Sequence, residues 1–147
     1  MTWAIHVLPV DGRVTKHGGY RFNRGAGVIH AGVDLGVPRG AKVRAPADSI
    51  VVKVDRQGRQ GSGWHGYAPV ILLLDTEGRY HVLAHLERTA VRAGDEVQAG
   101  QVIATVGPLR HLHWEVRSQP IPDYSAGQKP RDIATDPLTW LRTTPAA

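Results

Sequence analysis

The chain has 147 residues, 41% of them hydrophobic, and no cysteine, so it can bury a single-domain core without disulfide bonds. No apolar run approaches the roughly 18 residues of a membrane-spanning helix, so we expect no membrane span. The formal charge of +5 comes mostly from arginines spread along the chain, which favours an anionic partner. No concentrated basic stripe is present, and we therefore expect no nucleic acid partner.

The first stretch of the chain, residues 1–11, has neither the basic leader nor the apolar run of a secretory signal. The sequence therefore predicts no signal peptide in this chain. No internal repeat and no second domain boundary is visible further along. We predict one domain over residues 1–147.

The first candidate metal-binding pattern is His-Ala-Gly-Val-Asp, which runs from His30 to Asp34. Residues four apart share one face of a helix or of a strand. Three glycines and a proline between positions 27 and 38 argue against a helix. We therefore place this pair on a strand or at its mouth, where a glycine allows close approach of the backbone.

The middle of the chain consists of β-branched or apolar runs separated by Gly, Pro and Asp, a pattern typical of strands. The predicted strands are 43–45, 49–55, 70–74, 80–86, 101–106 and 112–117, and their spacing favours antiparallel hairpins. A short turn at 75–78 precedes the strand that carries His85. The glycine-rich loop 58–66 lacks a phosphate-loop ending and is interpreted as a cleft rim, where Trp64, His65 and Tyr67 either contact substrate or only pack.

The second metal-binding pattern is His111-Leu112-His113. On a strand both histidines project to the same side, roughly 6.5–7 Å apart, while Leu112 points into a core. Two imidazoles and one carboxylate make the three protein ligands of a catalytic zinc site with an open fourth position. A structural zinc normally takes a fourth ligand, usually cysteine, and this chain has none.

The C-terminal part begins with a long stretch, 117–136, that contains three prolines and predicts an irregular surface connection. Asp136 is a good N-cap and Pro137 suits the first helical position, so a short terminal helix follows. The fold class predicted by the whole pattern is mainly β, with one short helix at the end.

Taken together, these patterns resemble the lysostaphin-type zinc endopeptidases, a family of peptidoglycan hydrolases. The resemblance spans about residues 19–141 and rests on 30–46, on Leu-Ala-His-Leu at 83–86, on the hairpin 94–103, on 111–117 and on Asp-Pro-Leu at 136–138. It implies an antiparallel β-sheet or sandwich with a substrate groove, and a short C-terminal helix.

Carried over residue by residue, the resemblance assigns five site residues: zinc ligands His30, Asp34 and His113, and the catalytic pair His85 and His111. Such histidines can hold the attacking water, take its proton and stabilise charge on the substrate. The implied activity is zinc-dependent hydrolysis of peptide stems or cross-bridges of bacterial peptidoglycan.

One alternative histidine and two differences from the family pattern bear on this assignment. His81 lies four residues before His85, so on a continuous strand it would share the same face. Only residues 108–110 stand where the family usually has a longer loop, so one wall of the groove should be truncated. The family also tends to place a tyrosine upstream of the first motif to stabilise the oxyanion; Tyr20 is nearest, with Arg21 and Arg24 as alternative donors.

Three routes to the cell wall are open to such an enzyme: a processed mature form, a lysis enzyme, or cargo of a phage particle or tail. We favour a phage or phage-like origin, with a virion or tail assembly as partner. A rival function is an inactive relative that binds cell wall or an amidase partner, which should have lost some of the five site residues; none is lost. A lipoyl or biotinyl carrier module, suggested by 94–107, lacks the attachment lysine flanked by methionine.

Overall fold

The computed structural model describes residues 5–25, 29–120 and 133–143. In chain order its strands are β1 (Arg13–Val14), β2 (Val33–Gly36), β3 (Lys42–Arg44), β4 (Ser49–Asp55), β5 (Val70–Asp75), β6 (Tyr80–Ala84), β7 (Leu86–Thr89), β8 (Glu96–Val97), β9 (Val102–Val106), β10 (His111–Arg117) and β11 (Ala134–Thr135). One helix of the described part, α1 (Pro137–Arg142), follows them. The mainly β architecture predicted from the sequence is confirmed.

The strands form two antiparallel sheets. The larger has the order β1-β2-β10-β6-β5-β4-β8, with β11 paired to the far end of β10, and the smaller has the order β3-β9-β7. β10 is therefore a central strand, hydrogen-bonded to β2 on one side and to β6 on the other. In this register His113 lies opposite Asp34 of β2 and opposite Ala84 of β6.

The two faces of β10 have different surroundings. Leu112, Trp114 and Val116 belong to the main hydrophobic core, which also takes Val33 and Leu35 from β2. The alternate residues of β10 face the other side, where a smaller apolar cluster is formed by Trp64, Val70, Leu72, Val82 and Ala84. Strand alternation thus separates a packed face from a face that carries histidines, as the sequence predicted for Leu112 and its two neighbours.

The predicted strand 80–86 is wrong in one respect that matters for the site. It is two strands, β6 and β7, which belong to different sheets and meet at His85. His85 has a left-handed backbone with φ of 62°. Because that conformation interrupts the alternation of side chains, His81 and His85 do not share a face.

His81 is fully buried on the core side of β6. Its contacts exclude it from the catalytic position that the resemblance assigned to His85. Its Nε2 lies 2.8 Å from Asp75 Oδ2, and its Nδ1 accepts a 3.2 Å hydrogen bond from the indole of Trp114. Both ring nitrogens are thus occupied within the core. Its pKa is lowered by burial, which outweighs the hydrogen bond with Asp75.

The C-terminal helix begins as predicted. The Asp136 side chain accepts a 3.0 Å hydrogen bond from the backbone N–H of Leu138, and Pro137 occupies the first turn. Much of the predicted irregular connection, residues 121–132, lies outside the described residues, as do residues 1–4 and 26–28. No helix of the described residues is both long enough and apolar enough to cross a bilayer.

Gly32, inside the first histidine pattern and directly before β2, packs closely against β10. A Cβ at this position would lie 2.3 Å from the carbonyl oxygen of Trp114 and 2.7 Å from Glu115 Cγ. A carbonyl of a central strand cannot move aside without breaking its ladder.

We therefore predict that Gly32→Ala lowers the free energy of unfolding by about 1–3 kcal/mol, because the methyl group overpacks the strand pair. Denaturant unfolding measures this change. Gly19→Ala is the control, since a Cβ there meets no atom of the described residues within 4 Å. Equal stability of the Gly32→Ala protein and the control would contradict the close approach.

Candidate metal centre

Three buried side chains converge at the edge of the β2 and β10 pair: His30, Asp34 and His113. His113 Nδ1 lies 2.9 Å from Asp34 Oδ1 and 3.1 Å from His30 Nε2, and the third side of the triangle, from His30 Nε2 to Asp34 Oδ1, is 3.3 Å. Tetrahedral zinc with bonds of about 2.0–2.1 Å holds its ligand atoms roughly 3.3 Å apart. The donor set and its spacing fit a zinc ion bound by three protein ligands.

The local chain positions each ligand by main-chain pairing. Asp34 and His113 are opposite each other in the antiparallel register of β2 and β10. His30 precedes β2, where its N–H donates to Phe22 O at 3.0 Å and its carbonyl accepts from Arg21 N–H at 2.8 Å. The ligands are thus held by backbone hydrogen bonds as well as by burial.

The tautomers of both ligand histidines are set by their second ring nitrogens. His30 Nδ1 lies 3.0 Å from the carbonyl oxygen of Gly19, which can only accept, so Nδ1 carries the proton and Nε2 is left for a metal. His113 Nε2 lies 2.7 Å from Glu115 Oε2, so Nε2 donates and Nδ1 faces the site. Such partners orient ligand rings and increase their basicity.

The second oxygen of the Asp34 carboxylate is occupied by an arginine. Arg24 Nη2 donates to Asp34 Oδ2 at 2.8 Å, and it also donates to the carbonyl of His17 at 3.3 Å. Asp34 Oδ1 is therefore the oxygen presented to the two histidines. Arg24, which the sequence offered as an oxyanion donor, contacts a metal ligand directly.

The pKa values within this cluster are strongly perturbed. Burial alone would raise the pKa of Asp34, but hydrogen bonds with His113 and His30 hold it well below its usual range. Burial alone would lower the pKa of His113, but hydrogen bonds with Asp34 and Glu115 raise it to about 9. A pKa of about 9 keeps the His113 ring protonated at neutral pH, so a metal bound at Nδ1 would have to replace a proton.

His85 and His111 lie beside the three ligands on the same side of the sheet. The ring centroids of His85 and His111 are 5.1 Å apart, and those of His85 and His113 are 5.9 Å apart. His111 Nε2 is 3.8 Å from Asp34 Oδ1. The structure therefore brings together all five residues that the resemblance assigned.

The pKa of His85 is lowered to about 4, first by burial and then by the neighbouring charges of His113 and His111. A pKa this far below neutrality leaves the ring uncharged at physiological pH. An uncharged imidazole next to a metal centre can accept a proton from water.

Left-handed backbone is concentrated around this site. Among the described non-glycine residues, positive φ occurs at Arg21, His85 and Arg110, with values of 61–63°. Arg21 hydrogen-bonds the carbonyl of His30, and Arg110 immediately precedes His111. Strained backbone of this kind persists where the surroundings over-determine it, and it occurs often at functional sites.

The backbone of His85 is held from both sides. Its N–H donates to the carbonyl of Tyr67 at 2.9 Å, and its carbonyl accepts from Gly107 N–H at 2.9 Å. A Cβ on Gly107 would lie 2.9 Å from the His85 carbonyl oxygen. Gly107 therefore permits the close contact that fixes His85 where the two sheets meet.

The four candidate substrate residues differ in what they contact. The Tyr20 hydroxyl donates to Ala134 O at 3.0 Å, and the Arg21 side chain is exposed. His65 is exposed on the glycine-rich loop, with Nδ1 3.1 Å from Gly58 O. Trp64 is only 1% exposed and packs in the smaller apolar cluster, so the packing alternative replaces substrate contact for this residue.

Sequence reasoning missed two partners of the metal ligands, Glu115 and the carbonyl of Gly19. Glu115 carried a usable signal, because it lies two residues after His113 on a strand and must share its face. The role of Gly19 carried none, since any residue supplies a backbone carbonyl.

Comparison with known proteins places this site in context. A sequence model described as Peptidase family M23 matches residues 28–128. The chain is 32% identical over 100 residues to the DD-carboxypeptidase/endopeptidase Mpg of Neisseria meningitidis, covering 63% of this chain and 21% of Mpg. It is 31% identical over 113 residues to the murein hydrolase activator NlpD of Salmonella dublin, covering 74% of this chain and 27% of NlpD. The matched region is thus less than a third of each of these relatives.

The fold is similar to that of the catalytic domain of the antimicrobial peptidase lysostaphin from Staphylococcus simulans. The TM-score is 0.69 at 24% identity, and the superposition covers 90% of this chain and 94% of that domain. The lysostaphin-type fold expected from the sequence is confirmed.

We predict that two histidines of the metal-free protein titrate on opposite sides of the ordinary value of about 6.5. His113 should keep both ring protons at pH 7 and lose one near pH 9, because its carboxylate partners stabilise the imidazolium. His85 should stay neutral from pH 5 to pH 10, because its pKa is about 4. Nitrogen-15 NMR of the histidine rings measures both, and titration of both rings near pH 6.5 would contradict the electrostatics described.

Proposed function

Because this chain belongs to peptidase family M23, we propose that it is a zinc-dependent endopeptidase that cuts peptide stems or cross-bridges of bacterial peptidoglycan. The observation that carries the proposal is the triangle of His30 Nε2, Asp34 Oδ1 and His113 Nδ1, with His85 and His111 beside it. Three ligands leave a coordination position for water, as in catalytic zinc sites. The two further histidines are in place for proton transfer.

The chemistry divides between the metal and the chain. When bound, zinc would supply a Lewis acid that lowers the pKa of water towards neutrality and polarises the scissile carbonyl. His85, uncharged at neutral pH, takes the proton from the attacking water and returns it to the leaving amine. His111 stands across from His85 and donates a hydrogen bond to the charge that develops on the substrate.

The connection between β9 and β10, which leads into the strand that carries His111 and His113, is short. Only residues 107–110 connect these strands, in a turn closed by the Arg110 N–H donating to Gly107 O at 3.2 Å. Leu109 at its tip is 58% exposed. A short wall of this kind supports access by a cross-linked polymer, and the exposed arginines favour its anionic components.

The alternative function is a non-catalytic module of the same fold that binds cell wall or a partner enzyme. The similarity to a protein named as a murein hydrolase activator favours it. The complete and mutually oriented set of five residues favours the enzyme, because a binding module has no need of two histidines beside a metal triad. The phage or phage-like origin stays a prediction.

We predict that two single substitutions separate metal binding from catalysis. His113→Ala should lose both zinc and activity, because it removes a ligand and leaves Asp34 Oδ1 and Glu115 Oε2 without their hydrogen bonds to the His113 ring. His85→Ala should retain one zinc per chain and lose about 10²–10⁴-fold in rate, the usual contribution of a general base. Zinc analysis and mass spectrometry of peptidoglycan digests measure the two properties.

His17→Ala serves as the matched control, since its ring is exposed and lies against Phe22 outside the cluster. Chelation of the wild-type protein should stop cleavage, and added zinc should restore it. Equal zinc loss in His85→Ala and His113→Ala would overturn the assignment of His85. Zinc binding with sedimentation on peptidoglycan but no new peptide ends would favour the binding module.

A further inference from the structure

A row of buried, charged side chains extends from the metal centre along β10. His113, Glu115 and Arg117 alternate on one face of the strand, and the last two are 0% exposed. Glu115 Oε2 is 2.7 Å from His113 Nε2, and Glu115 Oε1 accepts a 2.7 Å hydrogen bond from Arg117 Nε. Each carboxylate oxygen is therefore committed to a different donor.

A buried carboxylate is costly unless it is paired and hydrogen-bonded. Here both oxygens of Glu115 are hydrogen-bonded, one to His113 and the other to Arg117, so the carboxylate is paired on both sides. Replacing a buried ion pair by well-packed apolar side chains is often neutral or stabilising, so a buried pair is weak evidence for a role in stability. The charge at this position therefore needs a reason other than stability.

The series of side-chain contacts continues beyond Arg117. Its guanidinium carbon lies 5.8 Å from the ring centroid of Trp64, which is itself buried in the glycine-rich loop 58–66. The carbonyl of Trp64 accepts from the N–H of Tyr67 at 3.0 Å, and the Tyr67 ring lies 5.4 Å from that of His113. The contacts thus lead back to His113.

We propose that Glu115 and Arg117 are positioning residues that orient the His113 ring for metal and, through Trp64, tie the metal centre to the glycine-rich loop. Glu115 touches neither substrate nor metal, because both of its oxygens are occupied behind the His113 ring. It acts by fixing Nε2–H, which directs Nδ1 to the metal. These roles rest on the proposed function only in taking His30, Asp34 and His113 as the metal site.

The test is the zinc dissociation constant of purified variants of this 147-residue chain, measured by competition with a chelator and needing no catalytic turnover. Glu115→Gln keeps the size of the side chain but offers one acceptor to two donors. Its zinc affinity should fall about 10–100-fold, the usual cost of losing such a partner. The visible spectrum of the cobalt-substituted protein should also change, because the His113 ring is reoriented.

Asp75→Asn is the matched control, since it makes the same change from carboxylate to amide beside a buried histidine, His81, in the same sheet. It should destabilise the fold but leave zinc affinity and the cobalt spectrum unchanged. Arg117→Lys is the second variant, because lysine keeps the charge but not the planar fork. It should give a zinc affinity between those of the wild type and Glu115→Gln.

Wild-type affinity in both Glu115→Gln and Arg117→Lys would overturn the proposal and leave the proposed function intact. An equal loss of zinc affinity in Asp75→Asn would also overturn it, because a general loss of stability would then explain the effect. If the wild-type protein binds no zinc, the proposal fails together with the proposed function. Should Glu115→Gln not fold, Arg117→Lys and Asp75→Asn decide the matter by themselves.

Discussion

The antiparallel register of β2 and β10 is the constraint on which the candidate site depends. It places Asp34 opposite His113 although 79 residues separate them in the chain. A slip of one residue in β2 would turn Asp34 into the main core and bring Leu35 to the site, and a slip in β10 would do the same with His113 and Leu112. The register is secured by those same leucines, which are buried on the opposite face, and by the close approach at Gly32.

A second constraint is the break between the two sheets at His85. The left-handed residue ends β6 and begins β7, so one conformational choice both divides the sheets and turns an imidazole towards the metal ligands. Tyr67 and Gly107 hold the backbone there through hydrogen bonds. His85 therefore both separates the two sheets and belongs to the candidate site. This double constraint explains why a strained backbone conformation is retained there.

Much of this arrangement could be predicted from local sequence patterns. The apolar run 112–117 predicted the strand, the spacing of His111 and His113 predicted their shared face, and Asp136-Pro137 predicted the start of the helix. What local patterns do not contain is the pairing of distant strands, so the convergence of His30 with His113 came from family resemblance. The two-residue strands β1, β8 and β11 have no periodicity to detect.

The two features that local patterns predicted wrongly, at His85 and at Trp64, also depend on contacts between distant parts of the chain. Strand periodicity assumes extended backbone, and it failed at His85 because nothing in Ala-His-Leu signals a left-handed residue. A tryptophan in a glycine-rich loop suggests an exposed rim, yet Trp64 is buried because an apolar cluster and a guanidinium lie beneath the loop. Tertiary contacts decided both positions.

A crystal structure of the zinc-loaded protein, with anomalous data collected at the zinc absorption edge, would show directly whether these three residues bind a catalytic zinc ion. We expect one zinc per chain bound by His30 Nε2, Asp34 Oδ1 and His113 Nδ1, with water in the fourth position and His85 and His111 within reach of it. A zinc located elsewhere, or a fourth protein ligand that closes the coordination shell, would contradict a catalytic metal centre at this site.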